Sequence, residues 1–137
     1  MKVLVLAAMQ VAALPQLASV QVDSKRIAAE TAADADVTRS LKENGDIPSI
    51  ARPVDVRFVG SKRELKRLQS ALEGAGWSAI QTVKIGDGSY ALDIQQIQTT
   101  EPPALLELTT TALKIEVAFG VRYDGWGSVA QTEAKKR

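Results

Sequence analysis

VRYDGWG, residues 121–127, is the stretch of this 137-residue chain from which its fold is best predicted. It combines a β-branched residue and two of the six aromatic residues with an Asp-Gly pair. β-branched and aromatic residues favour strands, and Asp-Gly is typical of tight turns. The sequence therefore predicts a strand that runs directly into a turn, and the segments upstream are interpreted as its scaffold.

Those upstream segments alternate between strand and helix patterns. A half-buried strand is predicted at 54–59, and two more at 77–85 and 90–95, on either side of a Gly-Asp-Gly turn. Leucines at helical spacing predict one helix after the capping box that starts at Ser61 and another after Pro102-Pro103. With the final strand, the order of elements is β-α-β-β-α-β.

This order predicts an α+β fold of the ferredoxin-like, split β-α-β type. Such a fold has a four-stranded antiparallel sheet with two helices on one face. A further helix with a thin apolar face precedes it, and we expect this helix to pack at the periphery. The predicted organisation is an apolar N-terminal extension at 1–22, a peripheral helix at 23–45, the ferredoxin-like domain at 53–128 and a mobile tail at 129–137.

The N-terminal segment 1–22 leaves two interpretations open. Lys2, followed by an apolar stretch at 3–9 and then by small residues, is similar to a secretory signal. An extension that stays in the cytoplasm is the other interpretation, and the slightly favoured one. Pro15 and its polar neighbours interrupt the apolar run, so no membrane span is predicted.

The composition argues against most kinds of catalytic site. The chain contains no cysteine and no histidine, which are the two commonest ligands of transition metals. A serine nucleophile would also lack the histidine that usually serves as its base. We therefore predict that the protein is not an enzyme and that it uses neither a metal nor a cofactor.

The charged residues do not indicate a nucleic-acid contact. The 17 basic and 16 acidic residues nearly cancel, although Lys62, Arg63, Lys66 and Arg67 share one helix face. Such a face can contact phosphates or a partner, but it is more often a solvated helix surface. The open sheet face lacks the aromatic residues on which RNA bases stack; its predicted members are Asp55, Arg57, Thr82, Lys84, Asp93, Gln95 and Arg122. Direct reading of nucleic-acid bases is not predicted.

Three segments together resemble a known family. The motif Tyr123–Trp126 after a long helix, the helix end Leu41–Asp46 with its Gly-Asp pair, and the strand Arg52–Val56 are similar to segments of the bacterial regulators of ribonuclease E activity, B type. The resemblance implies a cytoplasmic, non-catalytic regulator that binds the scaffold region of an endoribonuclease and reduces RNA cleavage. The alternative is a small ferredoxin-like binding module, exported through an N-terminal signal, with an unrelated partner or ligand.

The closing stretch supplies the candidate partner-binding residues, which are Tyr123, Asp124, Gly125, Trp126 and Gly127. Trp126 is the best candidate anchor, because a large rigid aromatic beside a turn suits an interface. Asp124 could orient it or accept a hydrogen bond from a partner. The structural alternative is that both aromatic residues pack against the sheet edge and that Asp124-Gly125 is an ordinary turn.

Overall fold

The structure, a computed structural model, describes residues 14–132. The predicted apolar stretch at 3–9 and the basic end of the predicted tail, 135–137, lie outside the described residues. Within them, three α-helices and a four-stranded antiparallel sheet form an α+β fold, as predicted. No helix in this part of the chain is long and apolar enough to cross a membrane.

The elements follow one another with short connections. In chain order they are α1 (Ser24–Glu43), β1 (Arg52–Gly60), α2 (Lys62–Leu72), β2 (Ser78–Gly86), β3 (Ser89–Gln98), α3 (Pro102–Phe119) and β4 (Arg122–Gly127). A 3₁₀ turn at Pro15–Leu17 precedes α1. Across the sheet the order is β2-β3-β1-β4, and every neighbouring pair is antiparallel. Strands β2 and β4 therefore form the two edges.

The core lies between one face of the sheet and helices α2 and α3. Alternate residues of β1 are buried there, and the leucine stripes predicted from helical spacing are confirmed. One continuous cluster includes Val54, Val56, Phe58, Leu65, Leu68, Leu72, Leu92, Ile94, Leu105, Leu108, Ala112, Ile115 and Phe119. Burial of each large side chain contributes about 1.5–3 kcal/mol before conformational entropy is subtracted.

Local sequence signals set the ends of the two core helices. The Ser61 hydroxyl accepts the Glu64 N–H at 3.2 Å and donates to Glu64 Oε1 at 2.9 Å, which fixes the start of α2. Gly120, with φ of +68°, ends α3, and its N–H donates to the Glu116 carbonyl at 3.1 Å. The chain then enters β4 directly.

Residues on both sides of the predicted domain belong to the fold. Leu14 and Leu17 fall within the predicted extension, yet both are buried in the core cluster. At the other end, Gln131 accepts a hydrogen bond from the Ile47 N–H at 2.8 Å and donates its own N–H to Asp46 Oδ1 at 2.7 Å. The hydrogen-bonded chain therefore continues beyond residue 129, where the tail was predicted to begin.

Candidate protein-binding site

The Asp-Gly pair of the closing stretch forms a β-bulge and not the predicted turn. Strand β4 continues through it, with Tyr123 opposite Phe58 and Trp126 opposite Val56. Two residues of β4 thus oppose Arg57 alone, and Gly125 takes a φ of +96°. Glycine accepts such a φ in a bulge as readily as in a turn, so the dipeptide alone does not distinguish the two.

The bulge decides where the two aromatic side chains lie. Residues three apart on a regular strand point to opposite faces, because side chains alternate. The extra residue of the bulge shifts this alternation by one position. Tyr123 and Trp126 therefore share the face on which Phe58 and Val56 meet the helices. Both aromatic residues therefore contribute to the core side of the sheet.

Tyr123 is a core residue. It is 3% exposed, and its ring lies 5.8 Å from that of Phe58, measured between centroids. Its backbone N–H donates to Glu116 Oε1 at 2.8 Å. Burial raises the pKa of its phenol well above the ordinary value, and the nearby Asp34 carboxylate raises it further. A partner that binds the folded protein cannot contact this ring, so any role of Tyr123 in binding is to support its neighbours.

Trp126 is half-buried and takes part in a polar junction between three elements. Its indole N–H donates to Asp34 Oδ1 at 2.8 Å, while the Thr109 hydroxyl donates to Asp34 Oδ2 at 2.6 Å. Asp34, on α1, is only 8% exposed and Thr109, on α3, is fully buried. Both oxygens of a buried carboxylate are thereby satisfied. Trp126 as a whole remains partly exposed.

A second polar cluster fastens α1 beside this junction. Glu116 accepts from Arg26 Nη2 at 2.9 Å with the same oxygen that accepts the Tyr123 N–H. Arg26 also pairs with Glu30 one turn along α1. The hydrogen bond with Glu116 raises the pKa of Arg26 above its ordinary value. Polar groups thus hold α1 against α3 and β4, although its apolar face is thin.

Asp124 lies on the open side of the sheet, opposite to the face that Trp126 occupies. The Asp124 carboxylate lies 3.3 Å from Arg122 Nη1 in an exposed ion pair, and Gly127 stands opposite Asp55. Among the five candidate residues, Asp124 is exposed, Gly125, Trp126 and Gly127 are partly exposed, and Tyr123 is buried. Gly125 also supplies the φ that the bulge requires.

The open face carries paired charges. Arg57 makes two hydrogen bonds to Asp93, at 2.8 and 2.9 Å, and these lower the pKa of Asp93 below its ordinary value. Gln81 also donates to Asp93, at 2.8 Å. Thr82 and Lys84, which were predicted on this face, instead stand opposite Leu92 and Tyr90 on the helix side. A bulge between Ala79 and Gln81 shifts the alternation of β2 and explains the difference.

Asp46 and Arg52 were noted in the sequence only as motif positions, and the structure shows them as a buried pair. Arg52 Nη1 lies 2.9 Å from Asp46 Oδ1, and the side chains are 0% and 1% exposed. Arg52 also donates to the carbonyls of Ile50 and Ile47, at 2.7 and 2.9 Å. Burial alone would raise the pKa of Asp46, but the Gln131 N–H and the Arg52 guanidinium hold it below its ordinary value.

A comparison with known families identifies the family of this chain. The family model described as "Regulator of ribonuclease activity B" matches residues 31–128. The chain belongs to this family. Its matched region runs from the middle of α1 to the residue after β4, so it contains Asp34, the Asp46–Arg52 pair and the whole closing stretch. No curated protein matches the chain.

Membership of the regulator of ribonuclease activity B family confirms the resemblance carried by the Gly-Asp, Arg-Pro and Tyr-Asp-Gly-Trp segments. The structure gives each of these segments a physical role. The first two supply the buried Asp46–Arg52 pair, and the third supplies the bulge and the Trp126–Asp34 bond. Regulation of a ribonuclease is therefore the class of function to which this chain is assigned.

Proposed function

We propose that this protein is a non-catalytic regulator that binds a ribonuclease of the ribonuclease E type and reduces its cleavage of RNA. The observation that carries the proposal is the family match over residues 31–128. Regulation by binding, as opposed to catalysis, also suits the closing stretch. Its polar groups, the Asp124 carboxylate and the Trp126 indole N–H, already have partners within the chain. The partner that we propose is the non-catalytic scaffold region of the enzyme, in the cytoplasm.

The contact surface that we propose is the edge of the sheet at Asp124 and Trp126, whose side chains lie on opposite faces of β4. Asp124 offers a carboxylate, and the partly exposed Trp126 offers apolar area, with its indole N–H held by Asp34. Rigid aromatic groups lose little conformational entropy on binding, which favours them as anchors. In this arrangement Tyr123 supports the surface from the core, Gly125 forms the bulge, and Gly127 allows close approach of a partner.

We also propose that the fold is of the ferredoxin-like type. The strand order β2-β3-β1-β4 with antiparallel neighbours supports it, as does the order of elements along the chain. Helices α2 and α3 share one buried cluster with the strands, which is consistent with both helices on a single face. Helix α1 and the 3₁₀ turn are then additions to that arrangement.

The test is isothermal titration calorimetry, in which this protein is titrated with the purified non-catalytic region of the cognate ribonuclease E. We expect saturable binding at equal stoichiometry. Asp124→Lys should raise the dissociation constant at least about tenfold, because it reverses a charge within the proposed surface. Asp36→Lys is the matched control, since Asp36 is an exposed carboxylate paired with Arg39 on α1. An absence of binding by the wild-type protein would refute the proposed function.

A further inference from the structure

The two edges of the sheet are covered very differently. On β4, the Glu116 carboxylate accepts the Tyr123 N–H, and Asp34 of α1 accepts the Trp126 indole N–H. On β2, the backbone hydrogen bonds found within residues 14–132 run to β3 alone. About half of the N–H and C=O groups of an antiparallel edge strand point away from its neighbour. The outer side of β2 therefore presents a row of free backbone donors and acceptors.

Strand β2 is also largely exposed, although it contains two isoleucines. Of its nine residues, Val83 alone is as much as half-buried. Ile80 is 53% exposed and Ile85 is 48% exposed. An exposed edge strand with large apolar side chains is a site for pairing with another chain.

The irregularities of β2 limit the length of what can pair with it. Bulges lie between Ala79 and Gln81 and between Lys84 and Gly86, which leaves Gln81–Lys84 as the regular stretch. Two copies of β2 could not align in a long continuous ladder, because bulges at both ends interrupt it. A short extended segment of another protein meets no such obstacle.

The charge beside this edge indicates the chemistry of that segment. Lys84 stands opposite Tyr90 in the ladder, and Lys62 Nζ lies 5.9 Å from the centre of the Tyr90 ring. No lysine of the described chain forms an ion pair, and Lys62 and Lys84 are two lysines that lie beside this edge. Two lysines without a carboxylate partner, one of them over the Tyr90 ring, favour acidic side chains in a segment that pairs with this edge.

We infer that the free edge of β2 takes up a short extended segment of the protein partner as a fifth strand. The segment is apolar where it meets Ile80 and Ile85 and acidic where it meets Lys84 and Lys62. Main-chain hydrogen bonds supply affinity in this mode of recognition, and the flanking side chains supply specificity. The inference rests on the proposed function and adds a contact on the opposite sheet edge from the closing stretch.

Amide hydrogen exchange of the full chain, with and without the purified non-catalytic region of ribonuclease E, tests the main-chain contact. We expect the outward-facing amides of β2 to exchange at least about tenfold more slowly in the complex, because strand addition protects them. The amides of β3 serve as an internal control, since the sheet already protects them. Exchange in β2 that is unchanged by a bound partner would overturn the inference.

A pair of variants tests the side chains. Ile80→Asp with Ile85→Asp should raise the dissociation constant at least about tenfold. Leu106→Asp with Val117→Asp is the matched control, because both residues are exposed to a similar degree on α3, and we expect less than about a twofold change there.

The outcomes separate this inference from the function on which it rests. If the partner binds, and the β2 variant binds as tightly as wild type, the strand-addition contact is wrong and the proposed function stands. If the wild-type protein does not bind the partner at all, the proposed function itself fails. Protection of β2 that grows with protein concentration in the absence of the partner would show self-pairing and would overturn the proposed occupant.

Discussion

At the scale of single residues, Asp46 and Arg52 are the pair of opposite charges that is most completely buried. Both side chains are removed from water, which costs several kcal/mol for each charge unless other groups compensate. Two carbonyl oxygens, the Gln131 N–H and the Thr100 hydroxyl supply that compensation. The pair thereby joins the end of α1, the start of β1 and the segment after β4.

Removal of either member should destabilise the fold strongly. We expect Arg52→Met or Asp46→Asn to lower the free energy of unfolding by about 3–5 kcal/mol, because the remaining partner would be buried without full compensation. Urea denaturation measures the change. Arg39→Met is the control, since Arg39 pairs with Asp36 at the surface and such pairs contribute about 0–1 kcal/mol. Equal effects of Arg52→Met and Arg39→Met would contradict the assignment.

The indole N–H of Trp126 is the second residue-scale test. Trp126→Phe keeps an aromatic ring but leaves Asp34 Oδ1 without its donor, so we expect a loss of about 1–3 kcal/mol in the free energy of unfolding. Trp77→Phe is the control, because Trp77 is also half-buried but no hydrogen bond of its indole is found in the described part of the chain. A Trp126→Phe variant as stable as Trp77→Phe would mean that the bond to Asp34 is dispensable.

At the scale of elements, the bulge in β4 determines how the aromatic side chains of this strand pack. It places Tyr123 and Trp126 on one face, where the first packs on Phe58 and the second reaches α1. Gly125 can take the φ of +96° that the bulge needs, and residues with a Cβ rarely can. The element thus depends on one glycine.

We expect Gly125→Ala to cost about 1–3 kcal/mol in the free energy of unfolding, because alanine is strained at this φ. Nothing lies near the position that its Cβ would occupy, so the cost is conformational and not steric. Gly127→Ala has equal space without the positive φ and should be close to neutral. Thermal unfolding of both variants measures the difference, and a neutral Gly125→Ala would argue against the bulge.

The elements were predictable from sequence to the extent that they depend on local periodicity. The leucine stripes of α2 and α3 and the Ser61 capping box follow from spacing alone. The bulge did not follow, since an Asp-Gly pair suits a turn and a bulge alike. Nor did the role of Asp34, because a carboxylate within a charged helix is expected at the surface, and only the folded structure shows that Trp126 and Thr109 meet it.

At the scale of the whole molecule, α1 and the segment after β4 are bound to the sheet by polar contacts. Asp34 and Arg26 hold α1 against α3 and β4. Asp46 connects the loop after α1 to Gln131. The stability of the fold should therefore depend on carboxylates such as Asp46 remaining charged, in addition to the small apolar area that α1 buries.

This dependence predicts acid sensitivity. The folded-state pKa values of Asp46 and Asp93 lie below the ordinary value of about 3.9. A carboxyl whose pKa is lowered by folding contributes its full stability above the ordinary, unfolded-state pKa. That stability is lost as the pH falls through the folded-state pKa. We expect the urea midpoint to be nearly constant from about pH 7 to pH 5 and to fall below about pH 4. Asp46→Asn should show a shallower fall, and a midpoint that rises on acidification would contradict this prediction.

The rate of RNA cleavage by the cognate ribonuclease E tests the central claim most directly. The assay compares the intact enzyme with a truncated form that lacks its non-catalytic region, each at increasing concentrations of this protein. We predict a saturable fall in the cleavage rate of the intact enzyme and no change for the truncated form. An unchanged rate for the intact enzyme, or equal inhibition of both forms, would contradict regulation through binding to that region.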